Sequence, residues 1–262
     1  MSVRAGAEPF SAEGGPVGVL LCHGFTGSPA SMRPWAKALA AAGHRVELPL
    51  LPGHGTRWQD MQVTRWTDWY AAVERDLLSL QKRCDHVFVM GLSMGGTLAL
   101  RLAEEHGSTV SGVVVVNPSI HSHNRMLHLL PAMRHVVASF PGVCNDINRS
   151  GEDELAYDRV PLQALHSLTA LWRVVTTDLP RITQPLVVYG SAVDHIVEPS
   201  NGRAVIDGVS SEDLLYVQLP NSFHVATLDN DAAAIIEGSL DFIRRVTDKA
   251  PITPAPTTSG TS

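Results

Sequence analysis

Six short apolar runs recur along this chain, separated mostly by stretches long enough to form a helix. They are Val17–Cys22, His44–Leu48, His86–Met90, Val110–Asn117, Pro185–Tyr189 and Leu214–Leu219. Most lack the in–out alternation of a half-exposed strand, which predicts strands buried on both faces. Four intervals read as helices. Ser31–Ala42 is Ala-rich and stopped by Gly43, and Thr67–Lys82 carries Trp69, Tyr70, Val73, Leu77 and Leu80 near a 3.6-residue period. Gly95–His106 and Asp229–Val246 complete the set. Strands alternating with helices predict an α/β domain built on a mostly parallel sheet.

The alternation fails once. Between Asn117 and Pro185 there is no convincing strand, and the sequence reads as two or three helices punctuated by Pro131, Pro141, Gly142 and Pro161. A structureless loop of that length inside a compact domain would be improbable. We therefore expect a core of residues 10–117 and 181–247 with a helical cap, 118–180, inserted between two of its strands. Residues 1–9 are expected to be a flexible leader, and the Pro-, Thr- and Ser-rich 248–262 a disordered tail.

Composition narrows the function classes. The chain has 262 residues, 44% of them hydrophobic, with 20 Lys and Arg against 26 Asp and Glu, for a net charge of −6. An acidic balance argues against nucleic-acid binding. No apolar run is long enough to insert stably in a membrane, and residues 1–15 lack the apolar core of an export signal, so the default location is cytoplasmic. Cys22, Cys84 and Cys144 are too few for a disulfide framework and read as buried thiols in a reducing compartment. No motif speaks to oligomeric state.

The central chemical signal is Gly91-Leu92-Ser93-Met94-Gly95, a G-x-S-x-G pentapeptide. At average usage of roughly 7% for Gly and Ser, the bare pattern arises by chance in about one chain of this length in ten. Its context is more specific, because it follows a strand and opens a helix. A sharp strand-to-helix turn needs glycines where the backbone closes on itself, and it lifts the serine hydroxyl to a helix N-terminus. The bland reading is a solvated serine in a glycine-rich turn.

Serine is a poor nucleophile without a base. His224, in Pro220-Asn221-Ser222-Phe223-His224, follows the last strand and so falls at the C-terminal sheet edge. The orienting carboxylate should lie between serine and histidine in the chain, which favours Asp194, just past the strand ending at Tyr189. Glu198 and Asp229 compete, the latter reading as a helix N-cap. Oxyanion donors are expected from the backbone N–H of Met94 and of Phe25, the second in His23-Gly24-Phe25-Thr26-Gly27. The Phe25 ring would then wall an acyl pocket, unless it is an ordinary core aromatic.

Other residues read as structural. His121, His123, His128 and His135 lack Cys or carboxylate partners at ligand spacing, and Pro131 interrupts any shared helix face, so no metal site is expected. His54 reads as a turn residue, His195 as structural, and Trp35, Trp58, Trp66 and Trp69 as packing. No P-loop or dinucleotide-binding glycine motif occurs, and no cofactor is called for.

Together these stretches, with Leu51-Pro52-Gly53-His54-Gly55, Asp194-His195, Glu154-Leu155-Ala156-Tyr157 and Asn221–Asp229, resemble the serine esterases and lipases of the α/β-hydrolase superfamily. The likeness is strongest to bacterial monoacylglycerol lipases and related carboxylesterases, and it runs from about Val17 to Val246. It implies the α/β-hydrolase fold, a Ser93–His224–Asp194 triad, and Phe25 and Met94 as oxyanion hole. It further implies that Glu154 can meet a glycerol hydroxyl from the cap. The expected partner is a small ester or acylglycerol, cleaved to fatty acid and glycerol through an acyl-enzyme. An apolar acyl tunnel is expected through Ile120, Leu127, Leu129, Leu130, Ile147 and Leu171. Two departures stand out, Ser191-Ala192-Val193 before Asp194 and the many cap histidines. A short-chain carboxylesterase or thioesterase shares the triad, and a non-catalytic ligand-binding protein of the same fold is the rival outside enzymes.

Overall fold

Valines and leucines in the central strands sort by parity. Val87, Val89, Val113, Val115, Leu186 and Val188 belong to one buried cluster, and Phe88, Met90, Val114, Val116, Val187 and Tyr189 to another. Side chains of a strand point alternately to its two faces, so this division shows a sheet with a core on each side. It explains why the runs carry no polar alternation.

In the computed structural model, which describes residues 2–248, the elements follow in the order β1 (Phe10–Ala12), β2 (Val17–Cys22), α1 (Arg33–Ala41), β3 (Arg45–Leu48), α2 (Trp58–Gln62), α3 (Trp66–Gln81), β4 (His86–Leu92) and α4 (Met94–His106). Then come β5 (Gly112–Val116), α5 (Leu130–Met133), β6 (Ser139–Pro141), β7 (Arg159–Pro161), α6 (Leu162–Asp178), β8 (Leu186–Ser191), α7 (Ser200–Gly208), β9 (Leu214–Leu219) and α8 (Ala232–Asp248). The main sheet has seven strands in the order β1-β3-β2-β4-β5-β8-β9. All its pairings are parallel except β1 with β3. Trp35 and Leu39 of α1, with Ile235, Phe242 and Ile243 of α8, cover one face. Residues of α3, α4 and α6 cover the other. Among the described residues no helix is long and apolar enough to cross a membrane.

Several expectations need correction. Residues 2–9 are pinned, not a flexible leader. Arg4 N–H donates to the Gly55 carbonyl at 2.8 Å, Ala7 is fully buried, and the Arg33 guanidinium holds the Glu8 carbonyl. Strand β9 is an edge strand with Leu215 and Tyr216 exposed, so it is not buried on both faces. Of the cysteines only Cys22 is buried; Cys84 is half-buried and Cys144 exposed. The tail expected over 248–262 lies outside the described residues apart from Asp248, which ends α8.

Residues 118–180 hold two α-helices, as expected, and a short strand pair that was not. These are the short α5, the long α6 and an antiparallel pair, β6 with β7. Helix α6 joins the main core: Leu168, Leu171 and Val175 share a cluster with Met94, Leu98 and Leu102 of α4. At its end Asp178 accepts from Arg101 of α4 at 2.7 Å, and Arg101 also pairs with the fully buried Glu104 at 3.0 Å. Burial pushes the Glu104 carboxyl up to about 8 despite that guanidinium. Leu171→Ala should therefore cost about 2–5 kcal/mol of global stability, read from urea unfolding midpoints. An unchanged midpoint would mean that α6 is a detachable appendage.

Candidate active site

Ser93 joins β4 to α4 with φ 57° and ψ −122°, a conformation that side chains other than glycine rarely adopt. Its neighbours explain how the turn closes. A Cβ on Gly95 would lie 1.9 Å from the Cys22 carbonyl oxygen, and one on Gly91 would lie 2.2 Å from the Gly95 backbone. Both glycines are steric necessities. The Ser93 N–H donates to the Val116 carbonyl at 2.9 Å, tying the turn to the end of β5. The side chain is 8% exposed and stands at the first turn of α4, where the helix dipole favours developing negative charge.

The loop after β2 crosses close to this serine. A Cβ on Gly24 would touch the Ser93 Cβ at 3.5 Å. His23 holds the loop as a neutral ring: its Nδ1 meets the Gly24 carbonyl at 3.0 Å, and its Nε2 accepts the Leu51 N–H at 3.1 Å. Among the described residues, neither the Phe25 nor the Met94 backbone N–H donates to a protein acceptor. Met94 lacks one because it opens a helix. The Phe25 ring packs edge-on against Trp69, with centroids 5.8 Å apart, and is only partly buried.

His224 and Asp194 meet directly, Nδ1 to Oδ2 at 2.8 Å. Asp194 Oδ1 accepts the N–H groups of Ile196 and Val197, which fix its rotamer. The Nδ1 proton therefore sits toward Asp194 and leaves Nε2 as a base. Asn117, at φ 44°, donates to the His224 carbonyl at 2.8 Å and to Ser191 Oγ at 2.9 Å. Consecutive residues Val116 and Asn117 thus hold the serine turn and the histidine loop. Ser93 Oγ makes no hydrogen bond to the imidazole in this arrangement; such bonds commonly tighten only when substrate is present.

Three buried histidines show what sets the charge here. Burial drives His23 down to about 4 and His54 down to about 3, so both stay neutral. Burial also disfavours the charged form of His224, yet the Asp194 carboxylate, with Glu154 and Asp146 beyond it, outweighs that and raises its pKa above the ordinary 6.5. Burial works against the Asp194 charge too, but the His224 partner holds that carboxyl below its usual range.

The remaining site residues are dispersed. Glu154 Oε1 accepts the Asn145 N–H at 2.9 Å, its other oxygen lies 3.5 Å from where a Gly27 Cβ would be, and burial raises its pKa. Ile120 is buried with Met94 in one core cluster, whereas Ile147 packs against the cluster on the opposite sheet face. Leu130 and Leu171 are buried, Leu127 half-buried, and Leu129 is 55% exposed on a short helical turn. The structure does not bring these six into one tunnel. Leu129 ends a short helical turn and Ile147 lies in irregular chain, so neither belongs to a helix long enough to keep one apolar face.

Other readings also shift. Glu198 binds Ser122 Oγ and the His123 N–H, away from His224. Asp229 is no simple N-cap: buried, it accepts the N–H groups of Asn148, Arg149, Phe223 and Asn230. His54 does brace its turn, with Nδ1 3.1 Å from the Pro52 carbonyl. His195 pairs with Asp146 at 2.7 Å. Sequence reading missed Asp146, His23 and Asn117. Only the last two carried a signal, each being a polar residue at the C-terminal end of a core strand.

A strained serine at a strand–helix turn and an acid-paired histidine, both tied to the end of β5, are the parts expected of a serine hydrolase of the α/β-hydrolase fold. The chain belongs to the Hydrolase_4 family, described as serine aminopeptidase, S33, whose model matches residues 17–231. It is 44% identical over 253 residues to the thermostable monoacylglycerol lipase of Bacillus sp. (strain H-257), covering 93% of this chain and 96% of that one. A carboxylesterase of Bacillus subtilis (strain 168) is 24% identical, covering 91% and 97%. Among solved structures, one from a study of the metagenome-derived lipolytic enzymes LipS and LipT matches with TM-score 0.91 and 39% identity, covering 93% of this chain and all of that one.

If His224 is the base that takes the serine proton, activity should fall as pH drops through its raised pKa, because only neutral imidazole accepts a proton. The acid limb of kcat/KM for a small ester should have its midpoint above pH 6.5, and a midpoint below 6.5 contradicts the electrostatics. Asp194→Asn should lower kcat by roughly 10³–10⁴-fold by releasing the tautomer.

Proposed function

We propose that this protein hydrolyses carboxylic esters through Ser93, His224 and Asp194, with monoacylglycerols as its substrates. In this reading His224 Nε2 takes the Ser93 proton as Oγ attacks the ester carbonyl, and the oxyanion gathers onto the Phe25 and Met94 N–H groups. The alcohol leaves with the proton from His224. Water, activated by the same imidazole, then releases the fatty acid from Ser93. The observation that carries this reading is the Asp194-paired His224, whose loop Asn117 ties to the same end of β5 that holds the strained Ser93 turn.

The acylglycerol substrate is supported by the 44% identity to a monoacylglycerol lipase over nearly the whole chain. It is supported also by Glu154, whose half-buried carboxyl stands against the Gly27 segment of the oxyanion loop within electrostatic reach of His224. A glycerol hydroxyl on the leaving-group side would find an acceptor there. The family description mentions an aminopeptidase. Both relatives cited above are ester hydrolases by name, and the ester reading follows them.

Hydrolysis should be profiled across 1-monoacylglycerols of rising acyl length, with di- and triacylglycerols, acyl-CoA, short aryl esters and an aminoacyl anilide beside them. Monoacylglycerols should be the preferred substrates. Turnover confined to aryl esters would make the protein a short-chain carboxylesterase, and acyl-CoA preference a thioesterase. Glu154→Ala should raise KM for monoacylglycerol by about 5–30-fold, the loss of one hydrogen bond, while leaving the KM for aryl esters, which lack that hydroxyl, unchanged.

A further inference from the structure

One buried carboxylate near the site has so far entered only as a charge beyond His224 and as the partner of His195. Asp146 lies in the irregular stretch between β6 and β7, far in sequence from both catalytic loops, and is only 9% exposed. Its Oδ2 accepts the backbone N–H of His224 at 3.1 Å and that of His195 at 3.2 Å. Its Oδ1 accepts from His195 Nδ1 at 2.7 Å, and its carbonyl accepts the Val225 N–H at 3.1 Å. The His195 ring in turn stacks edge-on against Phe223, with centroids 4.7 Å apart. One side chain thus grips the residue after Asp194 and the backbone of His224 itself, and its own peptide grips the residue after His224.

We infer that Asp146 is a positioning residue for the hydrolytic reaction: its carboxylate locks the Asp194 loop to the His224 loop and adds a negative charge behind the His224 backbone. The inference rests on the proposed roles of Ser93, His224 and Asp194. A carboxylate can serve three N–H donors at once because each oxygen has two lone-pair directions. Bonds to a charged acceptor are about twice as strong as neutral ones. Among the described residues no side chain besides Asp194 itself bonds both loops at these positions; Asp229 instead holds Phe223 together with Asn148 and Arg149.

The charged groups that raise the His224 pKa come from three directions. Asp194 is at the ring, Glu154 lies across the oxyanion loop, and Asp146 lies behind the backbone. Asp146→Asn keeps the shape and an acceptor oxygen but removes the charge. The acid limb of kcat/KM should then move to lower pH by about half a unit, the size expected for a unit charge a few ångströms away and largely screened. Turnover of a short aryl ester should fall about tenfold with KM unchanged, because the alcohol and acyl contacts are untouched.

The test is a pH–rate profile of the full chain with a short aryl ester, for wild type, Asp146→Asn, Asp146→Glu and Ser93→Ala, each checked by thermal melting. A profile of Asp146→Asn that superimposes on wild type overturns the inference. If that variant does not fold, Asp146→Glu, which keeps the charge but displaces it, is read instead. It should lower kcat without moving the acid limb, and unchanged kcat overturns the inference. Activity surviving in Ser93→Ala sinks the underlying mechanism, whatever the Asp146 variants do, so the two failures are separable.

Discussion

The architecture depends on one strained residue. Ser93 sits at φ 57° because β4 must end and α4 must begin within a single step, with Gly95 against the Cys22 carbonyl. Strain of this kind costs about 1–3 kcal/mol and persists only where its surroundings over-determine it. Those surroundings are β5, whose Val116 carbonyl holds the serine N–H, and the apolar layer that α3 and α6 press against α4. The inserted segment therefore contributes its longest helix to the layer that keeps the serine raised. Core and insertion are mechanically one body at this point.

Electrostatics then separates histidines that burial alone would treat alike. His23 and His54 lie near carbonyls and aromatic rings, with no carboxylate against them, and burial makes them permanent neutral braces. His224 is buried too, but three carboxylates face it and reverse the outcome. A base that can carry a proton in a closed site needs such a surplus of negative charge. Asp194 supplies it in direct contact, while Glu154 and Asp146 come from the inserted segment. The same stretch thus carries both the acceptor proposed for the leaving group and the clamp inferred for Asp146.

Much of this was legible in the sequence where local chemistry decides structure. Apolar runs without polar alternation, spaced by helix-length segments, exposed the parallel sheet, and Gly91 and Gly95 around Ser93 exposed the turn because they stand between a strand and a helix. Asp194 and His224 could be chosen because chain order and position after a strand constrain them. What could not be read depends on contacts between distant stretches. Asp146 looks like any loop aspartate until folding brings it to His195 and His224. The leader's anchoring at Gly55 and Arg33 is of the same kind. Strand β1, three residues long, falls below any periodicity signal, and the irregular chain before β7 offered no repeat from which to orient Leu129 or Ile147.

The central claim is that Ser93 is the nucleophile of a covalent, two-step hydrolysis. Intact-protein mass spectrometry after treatment with a fluorophosphonate tests it most directly. The account predicts one adduct per chain, mapped to the peptide containing Ser93, and none in Ser93→Ala. No adduct on the wild-type protein, or an adduct that survives the substitution, would contradict it.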